Sequence, residues 1–272
     1  LSKKLTESKK AGSISRDSFD KIQLNRTPAI ICFSACSLLF LIAFGLPFIQ
    51  LLAWSDLSEV FLSIYNMKLF MNSGFLGFFT ASLISITALV LSLAYAGSNK
   101  MKSIFTAATI GYALPGSVIA VGLLIVINEL FGVSITSMGI FGLVLCLSIR
   151  FMTPAFQYLI SALENIPESS KQALSTLPVN SLKAFTSLYL PSMRPALLVA
   201  FLVVFIEVVK EQPATLILRP VGFETLSSKI YNFTSEGQWE LAANPSLLLV
   251  LSLIHISEPT RPLYISYAVF CL

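Results

Sequence analysis

The 272-residue chain is 55% apolar and only 12% charged, with a formal net charge of +4 and a mean hydropathy of +0.80. A soluble surface needs more polar cover than this, so one water-soluble core is excluded and a membrane must supply the missing apolar solvent.

Residues 1–26 are basic, with Lys3, Lys4, Lys9, Lys10, Arg16, Lys21 and Arg26 set against Glu7, Asp17 and Asp20. They read as a basic cytoplasmic linker beside the membrane, or as a solvated tail that only sets orientation. Phe19 is the lone aromatic among these charges, which argues against nucleic acid as a partner. The chain opens on Leu1, and its polar stretch is too long for a signal-peptide n-region, so a preceding segment is expected.

A helix needs about 20 apolar residues to cross the hydrocarbon core with every backbone group satisfied internally. Runs near 28–52, 74–96, 104–127, 138–160 and 195–209 meet this, the last being short unless it extends, and a sixth begins near Ala243. The expected fold is therefore all-α, a polytopic transmembrane helix bundle over 27–250 with five full spans and a truncated sixth. Because Lys and Arg prefer cytoplasmic loops, the basic start puts Lys100, Lys102, Lys171, Lys183 and Arg194 inside, with Lys68 a mild exception. The 129–136 loop and the long segment 210–241 then fall outside, unless the latter folds back into the pore mouth. In the third span, Pro115 and Gly116 stand beside Ala113, Ser117, Ala120 and Gly122, which predicts a proline kink with close helix contact, either for packing or as a gating hinge.

Residues 251–272, LSLIHISEPTRPLYISYAVFCL, read like translated sequencing-adapter DNA and are treated as a non-native tail. The sole histidine, His255, and Cys271 lie there, so no Ser-His-Asp triad or histidine metal site remains. Cys32, Cys36 and Cys146 sit in apolar runs as small buried residues.

Residues 161–194, between the fourth and fifth spans, are too long and too patterned for a connector. Two short amphipathic helices are predicted. Glu164, Glu168 and Lys171 or Gln172 share one face, and Leu182, Phe185 and Leu188 or Tyr189 form an unburied apolar stripe, with a break over Leu177, Pro178, Val179 and Asn180. Such a stripe wants a partner's groove.

The segment's register resembles the cytoplasmic motif of ABC importer permeases: Glu-Ala-Ala, three residues, Gly, nine residues, Ile, one residue, Leu-Pro. Here it reads Gln172-Ala173-Leu174, Pro178, Leu188 and Leu190-Pro191, with Ala173, Leu190 and Pro191 identical. Gln172 lacks the usual carboxylate, and Pro178 replaces a glycine that could take positive φ, so the turn must differ in detail. Further on, the stretch from Val204 through Lys210, Glu211, Gln212 and Pro213 to Leu218-Arg219-Pro220, Gly222-Phe223-Glu224-Thr225-Leu226 and Tyr231 is similar to ferric-iron-type permeases, as is Gly111-Tyr112-Ala113-Leu114-Pro115-Gly116. Gln212 stands where that family usually has Leu.

The resemblance implies a type I ABC importer permease fold in a bacterial inner membrane, importing ferric iron or, on the same fold, thiamine, phosphonate or polyamine. It also implies a cytoplasmic ATPase dimer holding the ATP and Mg, an external substrate-binding protein, and an N-terminal permease half or second permease copy as partners. The ATPase-coupling residues would be Gln172, Ala173, Leu174, Pro178, Leu182, Phe185, Leu188, Leu190 and Pro191.

Glu207, Lys210 and Glu211 fall at i, i+3 and i+4 at the outer end of an apolar helix, where they neutralise one another or line a pathway. Arg219 would meet an acidic docking surface or be solvated, and Arg150 would snorkel to the cytoplasmic face or take a transport role. No Gly-x-x-x-x-Gly-Lys-Ser/Thr loop occurs, so ATP hydrolysis falls to a separate subunit. An intramembrane enzyme would need His-Glu-x-x-His, Gly-x-Ser-x-Gly or paired aspartates, which are missing. A secondary transporter could use Glu207 and Glu211 but has no need of the 172–191 register.

Overall fold

The computed structural model describes residues 25–97, 109–132, 139–178 and 180–257. The basic linker, Lys100, Lys102, most of the 129–136 loop, Val179 and residues 258–272 therefore lie almost wholly outside the described residues. The chain divides into two units, residues 1–49 and 50–272.

The first unit holds α1 (Arg26–Phe40), which runs through a π-helical turn at Leu41–Gly45 into α2 (Leu46–Trp54), whose residues from Gln50 on belong to the second unit. This one apolar helix has no buried residue, so Cys32 and Cys36 are exposed, not buried as expected. Lipid is the solvent such a surface requires. The π turn has a local cause. Pro47 cannot donate a backbone hydrogen bond, and its ring would strike the carbonyl four residues back. The wider turn, in which the Leu46 N–H reaches Leu41 O, relieves both problems.

The second unit is built on α3 (Leu57–Leu62), α4 (Ile64–Gly97), a 3-10 turn (Thr109–Ala113), α5 (Gly116–Phe131) and α6 (Ile140–Glu164). It continues with α7 (Glu168–Ser175), α8 (Ser181–Ala184), a second π turn (Phe185–Tyr189), α9 (Leu190–Lys210), α10 (Pro213–Leu218), α11 (Leu226–Ser235) and α12 (Trp239–Ser257). No strand occurs among the described residues. The helices α4, α6 and α9 pack on one another, α5 and α10 lie against α6, and α12 leans on α3, α4 and α11. Leu69, Leu76, Ile84, Leu143, Leu147, Phe151, Leu159 and Met193 are fully buried in the centre. At Gly77 of α4 a Cβ would come within 2.9 Å of Val209 of α9, so glycine permits that close helix approach.

Among the described residues, five helices are long and apolar enough to cross a membrane: Arg26–Trp54, Ile64–Tyr95, Ile140–Glu164, Leu182–Lys210 and Trp239–Ser257. The chain is a multi-pass membrane protein. Its two tryptophans, Trp54 and Trp239, stand at one end of the bundle, where Asp56 N–H donates to Asn244 Oδ1 at 3.0 Å.

Three expectations change. The third span is not one kinked helix. Within the described residues it is a 3-10 turn, a break at Leu114 and Pro115, and the short α5 starting at Gly116. Pro115 takes φ −58 and ψ 141, an extended conformation that cannot continue a helix. The fifth span is far longer than 195–209, because the second π turn joins it to Leu182. The sixth runs on through residues 251–257, since Leu, Ile and His continue an apolar helix whatever their origin.

Candidate functional site

The 161–194 segment breaks after α7, as predicted, but its second half is no separate helix. Leu190 N–H donates to Phe185 O across the π turn, and Pro191 follows as Pro47 follows the first one. The hydroxyls of Thr186, Ser187 and Ser192 donate to Leu182, Lys183 and Leu188 carbonyls at 3.1, 2.6 and 2.7 Å, adding bonds where the helix is widened. Leu182 to Lys210 is thus a single 29-residue rod.

The turn itself contains no residue with positive φ among its described positions: Thr176 closes α7 in the right-handed region at φ −84. Pro178 therefore fits without the glycine geometry. Asn180 starts the next helix, its Oδ1 accepting from Lys183 N–H at 2.9 Å, a cap worth about 1 kcal/mol.

The predicted apolar stripe is only partly unburied. Phe185, Leu188, Tyr189 and Leu190 are half-buried against the core, whereas Leu182 is 71% exposed and Leu177 56% exposed. The rod reaches back over the bundle and covers its own lower residues, leaving its tip bare. Glu164 ends α6 and Glu168 begins α7, so they do not share a helix face; Lys171 pairs with Glu168 at 2.8 Å. Gln172, Ala173 and Pro178 are exposed and Leu174 half-buried. Beside this segment, Ala162, Asn165, Ile166, Pro167 and Ser192 line a cavity of about 150 Å³.

The second constellation lies deeper and nearer the Trp end. Glu207 and Lys210 pair at 2.9 Å as expected, but Glu211 leaves them. The helix ends at Lys210, Glu211 turns extended at ψ 119, and its carboxylate points into the bundle, where the residue is 7% exposed. There it meets Arg150 of α6, with Nε and Oε2 3.5 Å apart. Arg150 does not snorkel. Roughly 21 Å of helix separates it from Glu164 at about 1.5 Å per residue, beyond a side chain's reach. Instead Nη1 donates to Leu114 O at 3.1 Å, in the break before α5.

Glu211 Oε1 accepts Ala214 N–H at 3.3 Å at the start of α10, and its backbone carbonyl accepts the hydroxyls of Thr215 and Ser227 at 2.9 and 3.0 Å. Gly116 completes the site. A Cβ there would overlap Glu211 Oε1 and lie 2.7 Å from Arg150 Nη1, so the predicted close contact is real but is made with a carboxylate and a guanidinium. The first turn of α5 also offers that carboxylate the favourable end of a helix dipole. Gly122, by contrast, faces open space.

A third cluster was not foreseen. Arg219 is part-buried and held within the chain: its Nη1 donates to Glu224 Oε1 at 3.2 Å and Ser228 Oγ at 3.4 Å. Glu224 Oε2 accepts the Tyr65 hydroxyl at 2.8 Å and lies 3.9 Å from Lys229, while Asn72 Nδ2 donates to the Glu224 carbonyl at 2.9 Å. Tyr65 and Glu224 are 159 residues apart, and no local pattern links them. Lys229 also stands 4.4 Å from the Phe233 ring centroid.

Burial pushes the Glu224 carboxyl up, but the Tyr65 hydroxyl, Lys229 and Arg219 together hold it below the ordinary glutamate range. A depressed value contributes stability present above the unfolded carboxylate's range and lost as pH falls through the folded one. Unfolding of this end, followed by Trp239 fluorescence, should therefore be flat near neutrality and weaken only below the ordinary glutamate range. Glu224→Gln should remove that acid limb; a limb that survives in this variant would assign it to another group.

No protein-family model matches the chain. It is 28% identical over 237 residues to the Fe(3+)-transport system permease protein FbpB 2 of Haemophilus influenzae, an alignment covering 81% of this chain and 44% of that protein. It is 30% identical over 119 residues to the ferric transport system permease protein FbpB of Actinobacillus pleuropneumoniae, covering 43% of this chain and 17% of that one. The chain thus spans less than half the length of these relatives. In fold it is similar to a chain of a bacterial alginate ABC transporter crystallised with an alginate pentasaccharide-bound periplasmic protein. The TM-score is 0.66 at 13% identity, over 86% of this chain and 94% of that one. The two chains share one fold.

Proposed function

We propose that this chain is the permease part of an ATP-binding-cassette importer that moves ferric iron across a bacterial inner membrane. The observation that carries this reading is the similarity to a ferric permease along most of the chain, in a molecule with an ABC transporter fold. A separate cytoplasmic ATPase dimer holds ATP and Mg and hydrolyses the nucleotide. An external binding protein delivers the cargo, and a second permease half or copy, with lipid around it, completes the channel.

The rod from Leu182 to Lys210 supports the coupling step. Its bare tip at Leu182, with Leu177 before it and α7 carrying Gln172, Ala173 and Leu174, presents a knob to an ATPase groove, and its far end carries the Glu207–Lys210 pair and leads directly into Glu211 inside the bundle. Closure of the ATPase pair would move one end of a stiff element whose other end lines the pathway, shifting the bundle between two packings. Pro178, Phe185, Leu188, Leu190 and Pro191 hold that knob to the rod. Arg219, tied to Glu224, shapes the opposite mouth.

Reconstituted with its ATPase and binding protein, the complete transporter should accumulate radiolabelled ferric iron on addition of ATP and ignore a protonophore. Uptake that follows a proton or sodium gradient, without a co-purifying ATPase, would overturn the reading in favour of a secondary transporter.

A further inference from the structure

The pair Arg150–Glu211, its carboxylate side chain 7% and its guanidinium side chain 20% exposed, is not needed to join the helices it touches. The contact of α4, α6 and α9 is mostly apolar, with only small hydroxyls such as Thr80, Ser85 and Thr153 buried on these helices, and a buried ion pair adds little net stability over apolar residues of the same volume. It is also loosely made. A static strut between guanidinium and carboxylate is normally a two-bonded fork, yet here the single approach is 3.5 Å and Arg150 Nε is buried without a hydrogen-bond partner. The remaining bonds of the two groups go to backbone at chain breaks: Leu114 O just before α5, and Ala214 N–H at the start of α10. Both breaks interrupt the helical hydrogen-bond ladder, so both are places where an element can pivot.

We infer that Arg150–Glu211 is a releasable clasp which, closed over Gly116, holds α10 against α5 and α6 and shuts the route between them, and which opens when the rod Leu182–Lys210 moves. Glu211 is the residue directly after that rod, so displacement of the far tip reaches the carboxylate through one continuous helix. The site prefers two states. Either the charges stay paired with the carboxylate withdrawn from water, or the route opens and water solvates both; a separated pair that leaves Glu211 buried is strongly disfavoured. The inference rests on the proposed importer function for what moves the rod, but the clasp itself is independent of which cargo passes.

The test uses a reporter the chain already has. Cys146 lies one helical turn before Arg150 on α6 and is wholly buried. In the assembled transporter, with Cys32, Cys36 and Cys271 replaced by serine, a small polar maleimide should label Cys146 slowly at rest and faster during ATP turnover. Glu211→Gln should raise the resting rate by roughly tenfold or more, one decade in the opening equilibrium. Because a single variant may merely loosen the fold, the exchanged pair Arg150→Glu/Glu211→Arg is the second arm, and it should return labelling to the parental rate. Resting labelling unchanged in Glu211→Gln, or still fast in the exchanged pair, overturns the clasp. Failure of the ATPase to assemble, or of iron to enter, would instead count against the importer function, because the resting comparison needs neither.

Discussion

Gly116→Val is expected to be the most damaging single substitution in the bundle, destabilising the folded chain by about 3–5 kcal/mol, the range for breaking a buried ion pair. Any Cβ at this position overlaps the Glu211 carboxylate and crowds the Arg150 guanidinium. Valine adds two branched methyls with no room to turn, because the residue opens α5 directly after the Pro115 break. The carboxylate must move away, and with it go the Ala214 N–H bond and the pairing that compensates a 7% exposed charge. Gly116→Ala should cost less, about 1–3 kcal/mol, because a single methyl is met by partial side-chain displacement. The measurement is thermal unfolding of the detergent-solubilised protein for parent, Ala and Val forms. Gly122→Val serves as the control, since that glycine has nothing within 4 Å. If Gly116→Val melts with the parent, the crowding at this site has no energetic consequence.

Leu182→Asp should abolish co-purification of the ATPase while leaving membrane insertion and unfolding behaviour intact. At 71% exposure the side chain contributes little to the chain's own packing, so a carboxylate there is solvated and cheap in the isolated subunit. Seated in a partner's apolar groove the same carboxylate would be desolvated. Loss of one anchoring contact of about 2 kcal/mol weakens association roughly thirtyfold. Phe185→Asp is a poorer probe than the sequence pattern suggests, because Phe185 packs against the core and its loss would disturb the rod as well as the tip. Undiminished co-purification with Leu182→Asp would remove the knob from the docking surface.

The 161–194 segment shows how far local pattern reaches. The break near Pro178 and the apolar repeat Leu182, Phe185, Leu188 are properties of neighbouring residues and were legible directly. Which members of that repeat stay bare was not. Helical spacing places residues on one face, but the rod's path across α6 decides how much of that face is covered. The same holds for Glu207, Lys210 and Glu211. Spacing alone pairs all three, and it succeeds for the first two. It fails for Glu211 because the helix stops one residue earlier and the chain turns inward.

What the sequence by itself determined is therefore the class: apolar runs longer than any soluble helix needs, interrupted at Pro and Gly, force an all-helical bundle in lipid, because an unpaired backbone group in hydrocarbon is too costly for any other form. The motif register and the candidate coupling residues were likewise local. The pairing of Arg150 with Glu211, the role of Gly116, and the Tyr65–Arg219–Glu224–Lys229 cluster were decided only by tertiary structure. Each joins residues from separate helices, and the strength of a charge–charge contact depends on distance and exclusion of water, neither of which any linear spacing encodes.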